Sequence, residues 1–156
     1  MTLARSRPPQ GEPPERAYDR DFYGWTLEQA AHIRAGRFAE VDCAKVAEEI
    51  ETLGHSEFSR LVSFYRLILL HMLKWEHQPN LRSRSWAISI ALHRAHAADV
   101  LDDNPSLAPR LDEALARAYR LARLEAIRET GLSATAFPAA CPFTRDEMLA
   151  RAYAID

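Results

Sequence analysis

Apolar residues recur along this chain at three- and four-residue spacings, and alternating runs of the strand kind are absent. The pattern predicts helices throughout. Thr26 with Gln29 reads as a capping box, with Phe22, Tyr23 and Trp25 beside it, and this first helix runs to Gly36, a left-handed C-cap. Asp42 reads as the next N-cap, and Val46, Ile50 and Leu53 form a stripe that stops at Gly54. Ser56 opens a third helix, the most apolar of the set. Its stripe is Leu61, Tyr65, Ile68, Met72 and Trp75, widened by Leu69, Leu70 and Leu73, so burial on more than one side is expected, Trp75 included. Pro79 ends it, because the residue before a proline is pushed out of the α region.

Ser83 or Ser85 caps a fourth helix carrying Trp86, Ile90, Ala97 and Leu101, which stops at Asn104-Pro105. A fifth starts near Pro109, carries Leu111, Leu115, Ala118, Ala122 and Ile127, and ends at Gly131. After a loop of prolines and small residues, Thr144 with Glu147 makes a capping box for a short last helix. Long helices joined by short turns pack antiparallel. The expected fold is therefore all-α, a single-domain bundle of about five main helices plus a short C-terminal helix. Residues 1–17, with Pro8, Pro9, Pro13 and Pro14 among arginines, are expected to form a flexible tail, and 18–156 the domain.

Composition narrows the function classes. The 156 residues are 47% hydrophobic and 27% charged, enough for a real core, and the formal net charge of -2 gives no global drive toward nucleic acid or anionic membrane. The longest apolar run, Leu67 to Leu70, is broken by His71, far short of the roughly 20 residues that cross a bilayer. The arginine-bearing N-terminus lacks the apolar segment of a signal peptide. Cys43 and Cys141 lack the number and spacing of a disulfide framework or a metal site, and are expected to be small buried thiols in a reducing compartment. A soluble, cytoplasmic protein without a cofactor is the expectation.

The strings DFYGWTLEQA, AEEIETLG, HMLKWEHQP, NPSL, ETGL and FPAACPFT occur in that order. They resemble the bacterial domain-of-unknown-function family 29 over about residues 18 to 156, and Lys74, Trp75, Gln78 and Pro79 keep its pattern at the end of the third helix. The resemblance implies an all-helical domain. It brings no activity and no catalytic residues.

The densest polar constellation is the corner between the third and fourth helices. Lys74 and His77 precede the turn, and Arg82, Ser83, Arg84 and Ser85 follow it, with Trp75 and Trp86 on either side. Free backbone N–H groups at a helix start, two guanidiniums and a stacking ring together suit a phosphate or carboxylate, and leave nucleic acid open as a partner. The plainer alternative is that a serine caps, the tryptophans pack, and acids such as Glu76 neutralise the arginines.

Two further groupings carry chemistry in principle. His93 and His96 share a helix face at i, i+3, as do Glu48 and Glu51, but the Glu-x-x-His pair of di-iron bundles is absent, so a solvated face is expected and no metal. Arg66 and His71 resemble the Arg-His motif of HEPN-type ribonucleases, where a cation holds the phosphate and an imidazole moves the proton. Residues i and i+5 lie about 140° apart on a helix, so such a pair must converge through its side chains. Glu49 is the acid that could turn inward toward Arg66 or His71, although Glu48, Glu49 and Glu51 also read as a solvated run. The leading expectation is a small module that binds another protein, or regulates one, without catalysis. A phosphoester hydrolase at His71 and an anion or nucleic-acid site at Arg82 and Arg84 are the alternatives.

Overall fold

Capping groups and backbone breaks set where each helix begins and ends, and the result is all-α. The structure is a computed structural model that describes residues 14–154, among which no strand forms. Six α-helices follow in order: α1 Pro14–Arg20, α2 Phe22–Arg34, α3 Cys43–His77, α4 Arg84–Asp103, α5 Leu111–Thr130 and α6 Arg145–Ala150. Of the expected tail, residues 1–13 lie outside the described residues, while α1 already starts at Pro14. The chain divides into two compact units, one closing at Thr52 and one running from Leu53.

In the first unit the N-cap of α2 is Asp21, whose carboxylate accepts the Gly24 N–H at 2.8 Å. This corrects the capping box expected at Thr26 and Gln29. An aspartate five residues earlier starts the helix sooner, so Thr26 lies inside it and donates its hydroxyl to the Tyr23 carbonyl. Gln29 is buried, and its side-chain oxygen accepts the Asp42 N–H at 2.8 Å. Trp25 is buried too, with Tyr18 edge-on at 4.9 Å and Phe22 stacked at 6.0 Å. Gly36 takes the left-handed φ of 69° after the helix, as its position predicts. Asp42 caps α3 by accepting from the Lys45 N–H.

The two helices expected on either side of Gly54 are one, α3, with 35 residues. Gly54 lacks the positive φ found at Gly36 and Gly131, and no proline interrupts the ladder. A lone glycine weakens a helix by about 1 kcal/mol against alanine, too little to end one whose flanks are strongly helical. Ser56 does not cap; its hydroxyl donates back to the Leu53 carbonyl at 2.7 Å.

The second unit holds the core. Phe58, Leu61, Val62, Tyr65, Ile68, Leu69, Leu70, Met72 and Leu73 are all buried along α3. Against this stripe pack Ile90, Ala97 and Val100 of α4 and Ala114, Ala118, Tyr119, Ala122 and Ala126 of α5. Small residues on α5 let the helices approach closely. The segment after α5, whose composition reads as loop, supplies the buried Phe137 and Phe143, and α6 supplies Met148. Trp75 is a correction: it is only half-buried, edge-on to Tyr153 at 5.2 Å with the Arg82 guanidinium over its ring. The remaining boundaries follow their signals. α3 stops before Pro79, Ser83 accepts the Trp86 N–H, Gly131 closes α5 at φ 69°, and Thr144 and Glu147 complete their box. Pro109 falls in a 3-10 segment, Pro105–Arg110, that leads into α5.

Candidate functional site

The polar residues that sequence reasoning singled out on α3 meet residues of α4 and α5 in one neighbourhood. Arg66 Nη1 donates to both carboxylate oxygens of Glu125. Two turns on, Lys74 Nζ donates to Glu129 at 2.8 Å and sits 4.8 Å from the centre of the Trp86 ring. Between the two ion pairs lies His71, whose Nδ1 is 2.8 Å from the Leu67 carbonyl, the preceding turn of its own helix. The Lys74 hydrogen bond holds the Glu129 carboxyl below its ordinary range, and the field of His71 adds to the effect.

On the α4 side, His93 and His96 pack on Phe64, with ring centres 6.0 and 5.1 Å from it. Both are half-buried, and their Nδ1 atoms are buried without a hydrogen-bond partner among the described residues. This corrects the solvated face expected for them, because Phe64 turns toward α4 and gives the imidazoles an apolar floor. Burial pushes the His93 imidazole below its usual range, and the charges of His71, His96 and Arg66 push the same way. His71, His93 and Arg66 are thus electrostatic neighbours. Among the described residues no three His, Cys, Asp or Glu side chains are placed to hold a metal ion.

Arg66 and His71 therefore share a neighbourhood, as a phosphoester site would need, but Arg66 is held by a carboxylate. Its acid is Glu125 rather than Glu49, which accepts the hydroxyl of Tyr18 in the first unit. Glu48 and Glu51 are exposed, as a solvated run should be. Sequence reasoning missed Glu125 and Glu129, because nothing local in α5 marks which of its acids faces a cation on a helix more than fifty residues away.

The corner at the start of α4 is dispersed over separate tasks. Ser83 caps the helix, and Arg82 Nε donates to the Trp75 carbonyl at 2.8 Å. Lys74 belongs to Glu129 and Trp86, and His77 packs on the Phe137 ring at 4.6 Å. Ser85 and Arg84 are exposed, and Arg84 has no ionic partner among the described residues. Glu76, the acid expected to neutralise Arg82 or Arg84, pairs instead with Arg151 at 2.5 Å.

Three residues lie otherwise than the sequence suggests. Arg94, between the two histidines on α4, donates Nε to Met148 O and Nη1 to Arg151 O, both at 2.8 Å, and so satisfies carbonyls left open at the end of α6. Cys43 is exposed on the first turn of α3, which corrects the buried thiol expected there, and Cys141 is half-buried with its Sγ donating to the Phe143 carbonyl.

No helix among the described residues is long and apolar enough to cross a membrane. Comparison with curated proteins and with solved structures returns no match. A family model does match, over residues 17–154. The chain belongs to the family described as Domain of unknown function DUF29.

Proposed function

We propose that this protein is a cytoplasmic binding module that docks the apolar face of a helix from another protein and performs no chemistry of its own. One observation carries the reading: large apolar side chains stand in water along α2, the Phe38–Glu40 turn and the N-terminal half of α3. Tyr23 is 73% exposed, Leu53 68%, Phe38 66%, Ile50 63% and Leu27 54%. Tyr23 and Leu27 are spaced i, i+4 on α2, and Ile50 and Leu53 i, i+3 on α3, the ridge spacing that a partner helix reads. Scattered exposed leucines need no explanation, but Tyr23, Leu27, Phe38 and Ile50, all exposed within the unit that closes at Thr52, do, and Leu53 follows Ile50 on the same helix. Cys43, an exposed free thiol at the start of α3, suits a reducing compartment. The hydrolase reading is weaker, since Glu125 occupies the cation that would hold a phosphate.

A photo-crosslinking amino acid at position 53 tests the proposal in the native host. A discrete heterologous adduct is expected, lost when Tyr23→Ser and Ile50→Ser are combined, with thermal unfolding of the purified double variant within a few degrees of the parent. A crosslink only to a second copy, or a double variant that unfolds, would overturn it; in the second case the apolar residues are core rather than a docking face.

A further inference from the structure

Two hollows in the second unit adjoin at Ala116 and Arg120 of α5. One, of about 460 Å³, lies between α5 and residues 139–141. Ala116, Tyr119, Leu124, Ala139 and Ala140 give it apolar walls, and the Cys141 thiol lies among them. The other, of about 340 Å³, continues along α5 past Arg117 to Glu113. The first is walled mainly by apolar side chains, and the second is lined by Glu113, Arg117 and Arg120 around Ala116.

The charges along this groove are unbalanced. Arg120 is exposed and has neither an ion pair nor a hydrogen bond among the described residues. Arg123 donates Nε to the Phe137 carbonyl at 3.1 Å and Nη2 to the Ala134 carbonyl at 2.7 Å. Those partners fix the guanidinium in place and leave its charge uncancelled. Glu113, the carboxylate at the far end, is held by both Nε and Nη2 of Arg110 at 2.9 Å, so its own charge is already answered. The Tyr119 hydroxyl is occupied by the Pro138 carbonyl at 2.6 Å, so that side chain offers the groove its ring.

We propose that this groove binds a small organic anion, a carboxylate or phosphate monoester on a short apolar body. Its acid group meets Arg120 and Arg123, and its body lies between Leu124, Tyr119 and the 139–141 segment. A bare inorganic anion would leave the apolar walls unused, and a neutral apolar molecule would bury against two unanswered guanidiniums. Neither the histidines nor the docking face on α2 and α3 takes part, so this site stands or falls separately from the binding-module reading.

The full chain with Cys43→Ser keeps Cys141 as its one thiol and serves for the test. Hexanoate and phenyl phosphate are titrated at constant ionic strength and followed by backbone amide NMR, with sodium phosphate and 1-hexanol as comparison probes. The expected result is saturable shifts at Ala116, Arg120 and residues 139–141 with at least one of the two acids, and slower alkylation of Cys141 at saturation. The acid that binds more tightly identifies the headgroup. Arg120→Ala removes an exposed, unpartnered side chain, so folding is not at issue, and it should weaken binding about tenfold, the loss of roughly one charge-assisted hydrogen bond. Absence of saturable shifts with both acids overturns the site. So does equal binding of inorganic phosphate, equal binding of 1-hexanol, or an unchanged affinity in Arg120→Ala.

Discussion

Tyr65 is fully buried in the middle of α3, and its hydroxyl meets no partner among the described residues. Burial pushes its pKa up, so it stays a neutral phenol. Removing an unsatisfied buried polar atom while keeping the ring should be neutral or stabilising, so Tyr65→Phe is expected within about 1 kcal/mol of the parent, on the stable side. Urea unfolding checks this, and a clear loss would show that the hydroxyl has a partner. His93 gives a second test. Burial, with the charges of His71, His96 and Arg66, lowers its pKa in the folded chain, whereas the unfolded chain takes up the proton near pH 6.5. The His93 contribution is therefore full above about pH 6.5 and declines as pH falls through that value toward the lower folded pKa. His93→Gln should flatten the stability profile over that window, and parallel profiles would mean that other groups carry the acid sensitivity. At this scale the sequence marked Arg66 and His71 as polar positions on an apolar helix, because both lie within a few residues of each other. The acid that holds Arg66 was not legible, since Glu125 reaches it only after α3 and α5 pack.

Helix ends were far more legible, because a cap is a local bargain between one side chain and a few backbone groups. Ser83, Thr144 with Glu147, Asp42, Gly36, Gly131 and Pro79 all act where their types and spacings point. The failures came where two local signals competed. Asp21 outbids Thr26 by starting α2 earlier, and Gly54 with Ser56 resembles a stop and a start without acting as either. Gly54 and Gly131 make a paired test of that distinction. A Cβ at Gly54 would meet nothing within 4 Å, and its φ is not left-handed, so Gly54→Ala should stabilise by about 0.5–1 kcal/mol. Gly131 also has open space around it, but its φ of 69° penalises any side chain, so Gly131→Ala should destabilise by at least about 1 kcal/mol. Denaturant midpoints measured side by side decide, and equal shifts of the same sign would refute the continuous α3.

For the whole molecule, the buried cluster runs from Phe58 to Met148 and lies entirely within the unit that starts at Leu53. A fragment of residues 53–156 should therefore keep a cooperative urea transition, with only its first helical turn frayed. A broad, featureless transition would mean that residues before Thr52 complete the core.

The sequence by itself determined that the chain is helical, where most helices begin and end, and that the face from Leu61 to Leu73 is core, because helical period, caps and breakers act within a few residues. Only the tertiary structure decided which polar side chains meet. Glu125 and Glu129 answer Arg66 and Lys74, and Arg94 closes the end of α6, while Arg120 and Arg123 are left uncancelled beside an apolar hollow. Ile50 and Leu53 have the same helical spacing as residues of the core stripe, yet they face water. The physical reason is the same in each case. Amphipathic period says which residues share a face, and only packing against a distant element says whether that face is covered, paired or left open.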